Sequence, residues 1–324
     1  MTTQQRDQSA SPDKAVNTLR EAALDVVWRQ WRTVGAQAAT ARSAYSLVDP
    51  EALVLISLAL VEYESRLGDL VNDWVALNSD LLSIQRVKNL RTAYQESTCE
   101  RLSRLAEVAL YRGKDSRWRS LVMQSNAMNL AHAGTPASRG NKTRAVRPRF
   151  AESATLMLQL RLGFGVSAKA DMLAYLLAID SQKATVREIA AATSYTVAAV
   201  RRATEDMAAA RLINVSSGQP AAYRADHSAW TEILGLINQP PRWRSWQDRF
   251  AFVAAFLAHA QAANKHPTSA YAAGVKDREL LETHRSAFER DSVMSWNEHT
   301  PVSDWASFTE SAVRALAKWM VDNA

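Results

Sequence analysis

Apolar residues recur at spacings of three and four along most of the chain, the pattern of amphipathic helices with one face on a core. One set is Leu19, Ala23, Val26, Val27, Trp31 and Val34. A second is Leu53, Ile56, Leu60 and Val61, and a third is Leu70, Trp74, Leu77, Leu81 and Ile84. Asp49-Pro50 predicts an N-cap with proline at the first helical position, and Asn78-Ser79-Asp80 predicts a break. Further helices are predicted over about Glu152–Leu162, Ser228–Ile237, Trp246–Ala263, Asp277–Asp291 and Trp305–Val321. Short connections between such helices imply an antiparallel bundle or helical stack.

The pattern changes in residues 168–225. A helix over about Ala168–Ile179 carries Met172, Leu173, Leu176 and Leu177 on one face. Thr185, followed three residues later by Glu188, fits a capping box that opens a second helix. Thr193-Ser194-Tyr195 is a compact turn, and Thr196 is placed to cap a third helix. In that helix Val197, Val200, Thr204 and Met207 mark the buried side, leaving Ala198, Ala199, Arg201 and Arg202 opposite. Leu212–Val215 and Ala222–Ala225 then read as two short strands around a Ser216–Pro220 tip.

This order of elements resembles the winged-helix transcriptional regulators of the broad MarR and ArsR type. The resemblance rests on Thr185–Ala192, on Ser194–Thr196 and on the stretch Met207–Ile213, and it covers residues 168–225 only. Arg211 stands where those families usually place glycine. The resemblance implies that the third helix enters the DNA major groove and that the hairpin lies beside it. Ala198 and Ala199 would allow close approach to base edges, while Arg201 and Arg202 reach a guanine edge or a phosphate. Ser194 and Tyr195 fall where backbone contacts are expected, Thr196 and Arg187 are further candidate DNA-binding residues, and Arg224 is a candidate for backbone or minor-groove contact.

Charge adds to this picture. Residues 130–228 hold 13 Lys and Arg against 7 Asp and Glu, so the chain's whole formal excess of +6 falls there. Within 131–149 lie Arg139, Lys142, Arg144, Arg147 and Arg149, with Val146 the only large apolar residue. That stretch reads as a basic linker, and Arg144 and Arg147 are candidates for following a phosphate backbone or entering a minor groove.

Other chemistries find little support. The six histidines are scattered outside any metal-ligand spacing, and Cys99 is the only cysteine, so neither a metal site nor a disulfide framework is expected. No nucleophile or phosphate-loop motif is present, and the acidic pairs Glu62/Glu64 and Asp69/Asp73 read as solvated helix faces. The polar N-terminus and short apolar runs point to a cytoplasmic protein without a membrane span.

The expected fold is mainly α. It comprises a disordered tail over 1–13, a helical domain over 14–130 and a basic linker over 131–150. A winged helix-turn-helix follows over 151–227, with a small β-hairpin, and then a helical C-terminal domain over 228–324 for dimerisation or sensing. The expected function is a sequence-specific, double-stranded DNA-binding transcriptional regulator, read as a repressor. It would act as a homodimer, without catalytic residues or cofactor, and with a small-molecule effector or a protein partner left open. Two alternatives stand beside it. One is a protein-interaction adaptor or antitoxin-like partner, and the other is a replication or mobile-element DNA-binding protein.

Overall fold

The computed structural model describes residues 12–37, 40–123, 146–150, 152–236, 240–294 and 304–324. Five helices come first: α1 (Pro12–Thr33), α2 (Pro50–Leu60), α3 (Arg66–Asn78), α4 (Ile84–Leu90) and α5 (Glu96–Tyr111). They are followed by α6 (Leu156–Phe164), α7 (Ala168–Ala178), α8 (Val186–Thr193) and α9 (Val197–Ala209). Then come α10 (His227–Leu234), α11 (Trp246–Lys265), α12 (Ala270–Thr283), α13 (Ser286–Glu289) and α14 (Trp305–Asn323). The described residues form a mainly helical protein with one small antiparallel sheet.

Local signals place several of these elements. Asp49 caps α2 by accepting from the Ala52 N–H at 3.2 Å, with Pro50 at the first turn. Asn78 ends α3, and a short 3-10 turn over Ser79–Leu81 follows. The first expected apolar stripe is fully interior, from Leu19 to Val34. Leu77 departs from its stripe and is 45% exposed. In the C-terminal region the expected Asp277–Asp291 helix is two elements. Ser269 caps α12 by accepting from Ala272 N–H, which starts it seven residues earlier, and His284-Arg285 separates α12 from α13.

The buried side chains form two clusters. The larger draws on α1 to α5 and on α11 to α14, so the helices before and after the central segment share one continuous core. Helical regions over 14–130 and 228–324 are expected; their described residues share this core, with α1 along α14. Trp31 and Trp74 meet edge to face at 5.3 Å within this core, and Trp246 stacks on Phe250 at 5.2 Å. The smaller cluster unites α6 to α10 with the sheet, through Leu173, Leu177, Ile189, Val200, Met207 and Tyr223 among others. α6 straddles the two, with Leu158 in the larger core and Met157 and Leu160 in the smaller.

The sheet has strands β1 (Ala184–Thr185), β2 (Asn214–Val215) and β3 (Ala222–Arg224), in the order β1-β3-β2. The two hairpin strands occur close to where the alternation places them. β1 was not expected: its two residues give no period to read, and it pairs with β3 through Ala184–Tyr223 and Thr185–Ala222.

Candidate nucleic-acid interface

The α8–turn–α9 segment is built by its caps. Thr185 and Glu188 form the expected capping box, each side chain satisfying the other's free amide. Ser194 ends α8 in the left-handed region at φ 56, and Thr196 opens α9 by accepting from Ala199 N–H at 3.2 Å. At the far end, Arg211 takes φ 59, the conformation a glycine would adopt freely. The Arg211 N–H donates to Ala208 O and the Leu212 N–H to Met207 O, both at 2.9 Å. This pair of bonds is a Schellman closure, formed here without glycine.

α9 buries Val200, Ala203, Thr204 and Met207 against the smaller core. Val197, expected on the buried side, is 41% exposed. It lies in the first turn of α9. The outer face presents Ala198, Arg201 and Arg202 to solvent, with Ala199 partly covered and Thr196 exposed at the start. Arg187 on α8 and Arg224 on β3 are also exposed. Arg187, Arg201, Arg202 and Arg224 make no ion pair among the described residues. Glu205 and Asp206 occupy the same exposed side of α9 further along, and Asp206 pairs with Lys169 at 2.8 Å.

Other expected contacts are turned elsewhere. Tyr195 points inward: its hydroxyl donates to Asp171 Oδ2 at 3.0 Å and lies 3.0 Å from Ser83 Oγ. Burial and the neighbouring Asp171 carboxylate raise its pKa, so the phenol stays neutral. Ser194 is occupied as well. Its Oγ donates to Gln247 Oε1 at 2.6 Å, and its carbonyl accepts from Asn89 Nδ2 at 2.7 Å. Arg147 is engaged by Asp80 through two bonds of 3.0 Å. Arg144, like Arg139 and Lys142, lies outside the described residues.

Beneath the turn sits a buried ionic network with no signal in the sequence. Arg161 on α6 donates to both oxygens of Asp171 at 2.7 and 2.8 Å, to both oxygens of Glu51 at 2.6 and 3.0 Å, and to Leu81 O at 2.8 Å. Arg86 on α4 pairs with Asp49 and Glu51 and donates through Nε to Thr193 O at 2.7 Å. All five ionised side chains are at most 4% exposed. Three carboxylates face two guanidiniums, which leaves one surplus negative charge. Neutral donors hold it: Ser83 N–H bonds Glu51 at 2.7 Å, Tyr195 bonds Asp171, and Asp49 sits at the positive end of α2. Burial works against ionisation of Glu51, but Arg161 and Arg86 outweigh it and hold its carboxyl below the ordinary range. Burial likewise opposes the charge on Arg86, and the Asp49 and Glu51 carboxylates overcome it.

The network therefore bolts the α6–α10 unit to the helical body. With its groups fully interior, it offers no surface to a substrate. Among the described residues no group of three or more His, Cys, Asp or Glu side chains is placed to hold a metal. No helix among them is long and apolar enough to cross a membrane. No family model matches the chain, and no curated protein or solved structure matches it significantly.

Proposed function

We propose that the chain is a sequence-specific, double-stranded DNA-binding transcriptional regulator acting through a winged helix-turn-helix over α7 to β3. The observation that supports this most is the outer face of α9. Small residues stand at its start, and Arg201 and Arg202 follow, exposed and free of carboxylate partners. That combination suits close approach to base edges with guanidinium contacts to guanine or phosphate. Arg187 on α8 and Arg224 at the wing add positive charge without internal neutralisation. A repressor acting as a homodimer on a pseudo-palindromic site, in the cytoplasm, is the form this reading takes.

Enrichment of genomic fragments followed by gel shift tests it. A discrete fragment should be retained at about 50 mM salt, where phosphate attraction is strong. Absence of any retained duplex under those conditions overturns the reading.

A protein-interaction role draws on a different surface. Leu162 and Phe164 on α6 and Ile233 on α10 are exposed, and Gln159 ties the two helices by donating to Leu234 O at 3.0 Å. Copurification of a stoichiometric protein partner with no nucleic acid would favour that alternative.

A further inference from the structure

The turn before α9 is held from two sides by the helical body. On one side, Ser83, Arg86 and Asn89 of the α4 segment are spaced by three and engage three successive turn residues. Arg86 bonds Thr193 O at 2.7 Å, Asn89 bonds Ser194 O at 2.7 Å, and Ser83 meets Tyr195 Oη at 3.0 Å. On the other side, the single side chain of Gln247 on α11 spans the turn. It accepts from Ser194 Oγ at 2.6 Å and donates to Ala191 O at 2.9 Å. Ser194 is thus bonded through its carbonyl and its hydroxyl to helices 105 and 53 residues away in the chain.

We propose that Asn89 and Gln247 are specificity-determining positioning residues for α9, acting through the turn and without touching DNA. This rests on the DNA-binding reading above. The physical reason is the geometry of readout. Bidentate contact with a base edge requires the helix to be held within a fraction of an ångström, whereas phosphate attraction tolerates a loose mount. The turn leads into the N-terminus of α9, and the carbonyls of Ala191 and Thr193 at the end of α8 and of Ser194 in the turn are each bonded by a side chain of the body. Ser194 also carries a left-handed φ of 56, a conformation that is unfavourable for a non-glycine residue and that these bonds help to hold. The body therefore sets the angle at which α9 meets the groove, and a change in the body is transmitted to specificity through these two amides.

The test compares the full-length protein with Asn89→Ala, Gln247→Ala and the double variant. Affinity is measured by fluorescence anisotropy for the enriched genomic duplex and for a random-sequence duplex, across a salt series. Thermal melting of each variant checks the fold. The expected result is about a tenfold loss on the specific duplex in the double variant, from lost preorganisation. Affinity for the random duplex and its salt slope stay unchanged, because the phosphate-contacting groups are intact. Equal specific affinity in the double variant and the parent overturns this proposal and leaves the DNA-binding reading standing. A parallel loss on both duplexes also overturns it, since that marks general damage to the DNA-binding face. Failure of the parent protein to bind either duplex overturns the DNA-binding reading and this proposal with it. Asn89→Ala alone keeps the test decisive if Gln247→Ala melts early, because Asn89 is only partly buried.

Discussion

Replacing Arg161 with alanine removes five donated hydrogen bonds at once, four of them to carboxylates. Glu51 and Asp171 stay buried, and three carboxylates then face Arg86 alone. Breaking a buried pair on one side costs about 3–5 kcal/mol, most of it the penalty of the stranded charge. Surface pairs such as Arg278–Glu282, with both side chains nearly half exposed, are worth about 0–1 kcal/mol by contrast. Urea denaturation of Arg161→Ala should therefore show a loss of about 3 kcal/mol or more. Arg161→Lys keeps the charge but not the planar fork that serves two carboxylates, so it should recover only part of the loss. A double-mutant cycle with Asp171→Ala isolates the pair, and the double variant should be more stable than additivity allows, by about 1–3 kcal/mol. A loss below about 1 kcal/mol for Arg161→Ala, or strict additivity in the cycle, would refute the view that this network joins the two cores.

Three further outcomes follow from the same geometry. Arg211→Gly should raise stability by about 0.5–1 kcal/mol. It relieves a left-handed residue costing about 1–2 kcal/mol, against glycine's extra chain entropy; a lowered melting temperature contradicts this. Glu51 has its carboxyl held low by Arg161 and Arg86, so its contribution is complete above the ordinary glutamate range and is lost as pH falls through the depressed folded value. Glu51→Gln should flatten the acid limb of a stability–pH curve while weakening the protein at neutral pH, and an unchanged acid limb would count against it. Tyr195→Phe should cost about 1–2 kcal/mol in stability, from its two inward hydrogen bonds. It should leave affinity for a random-sequence duplex unaltered, because the phenol makes no phosphate contact, and a fall there with stability intact would put the phenol on the DNA.

The elements legible in the sequence are those governed by neighbours a few residues apart. Asp49-Pro50, the Thr185/Glu188 box and Thr196 each act within one helical turn, and each stands where its local chemistry places it. The exposed set Ala198, Arg201 and Arg202 was legible for the same reason, since helical period alone assigns faces. Long-range features were not. Glu51, Arg86, Arg161 and Asp171 carry no signal in the sequence, because a charge buried in a network has the same local context as one on a surface. Tyr195 is two residues from the start of α9 and was expected at the DNA backbone, but its partner Asp171 lies 24 residues back and Ser83 lies 112. The shared core of the first and last helices depends on α1 meeting α14, which no window along the chain reveals.

The most direct test of the central claim is the affinity of Arg201→Ala plus Arg202→Ala for the enriched duplex, measured against salt concentration beside the parent protein. Both arginines are exposed, so the variant should melt with the parent. Affinity should fall by about tenfold or more, with the slope of log affinity against log salt reduced by about one for each phosphate contact removed. Parent-like affinity and slope in a folded double variant would contradict the placement of DNA on α9.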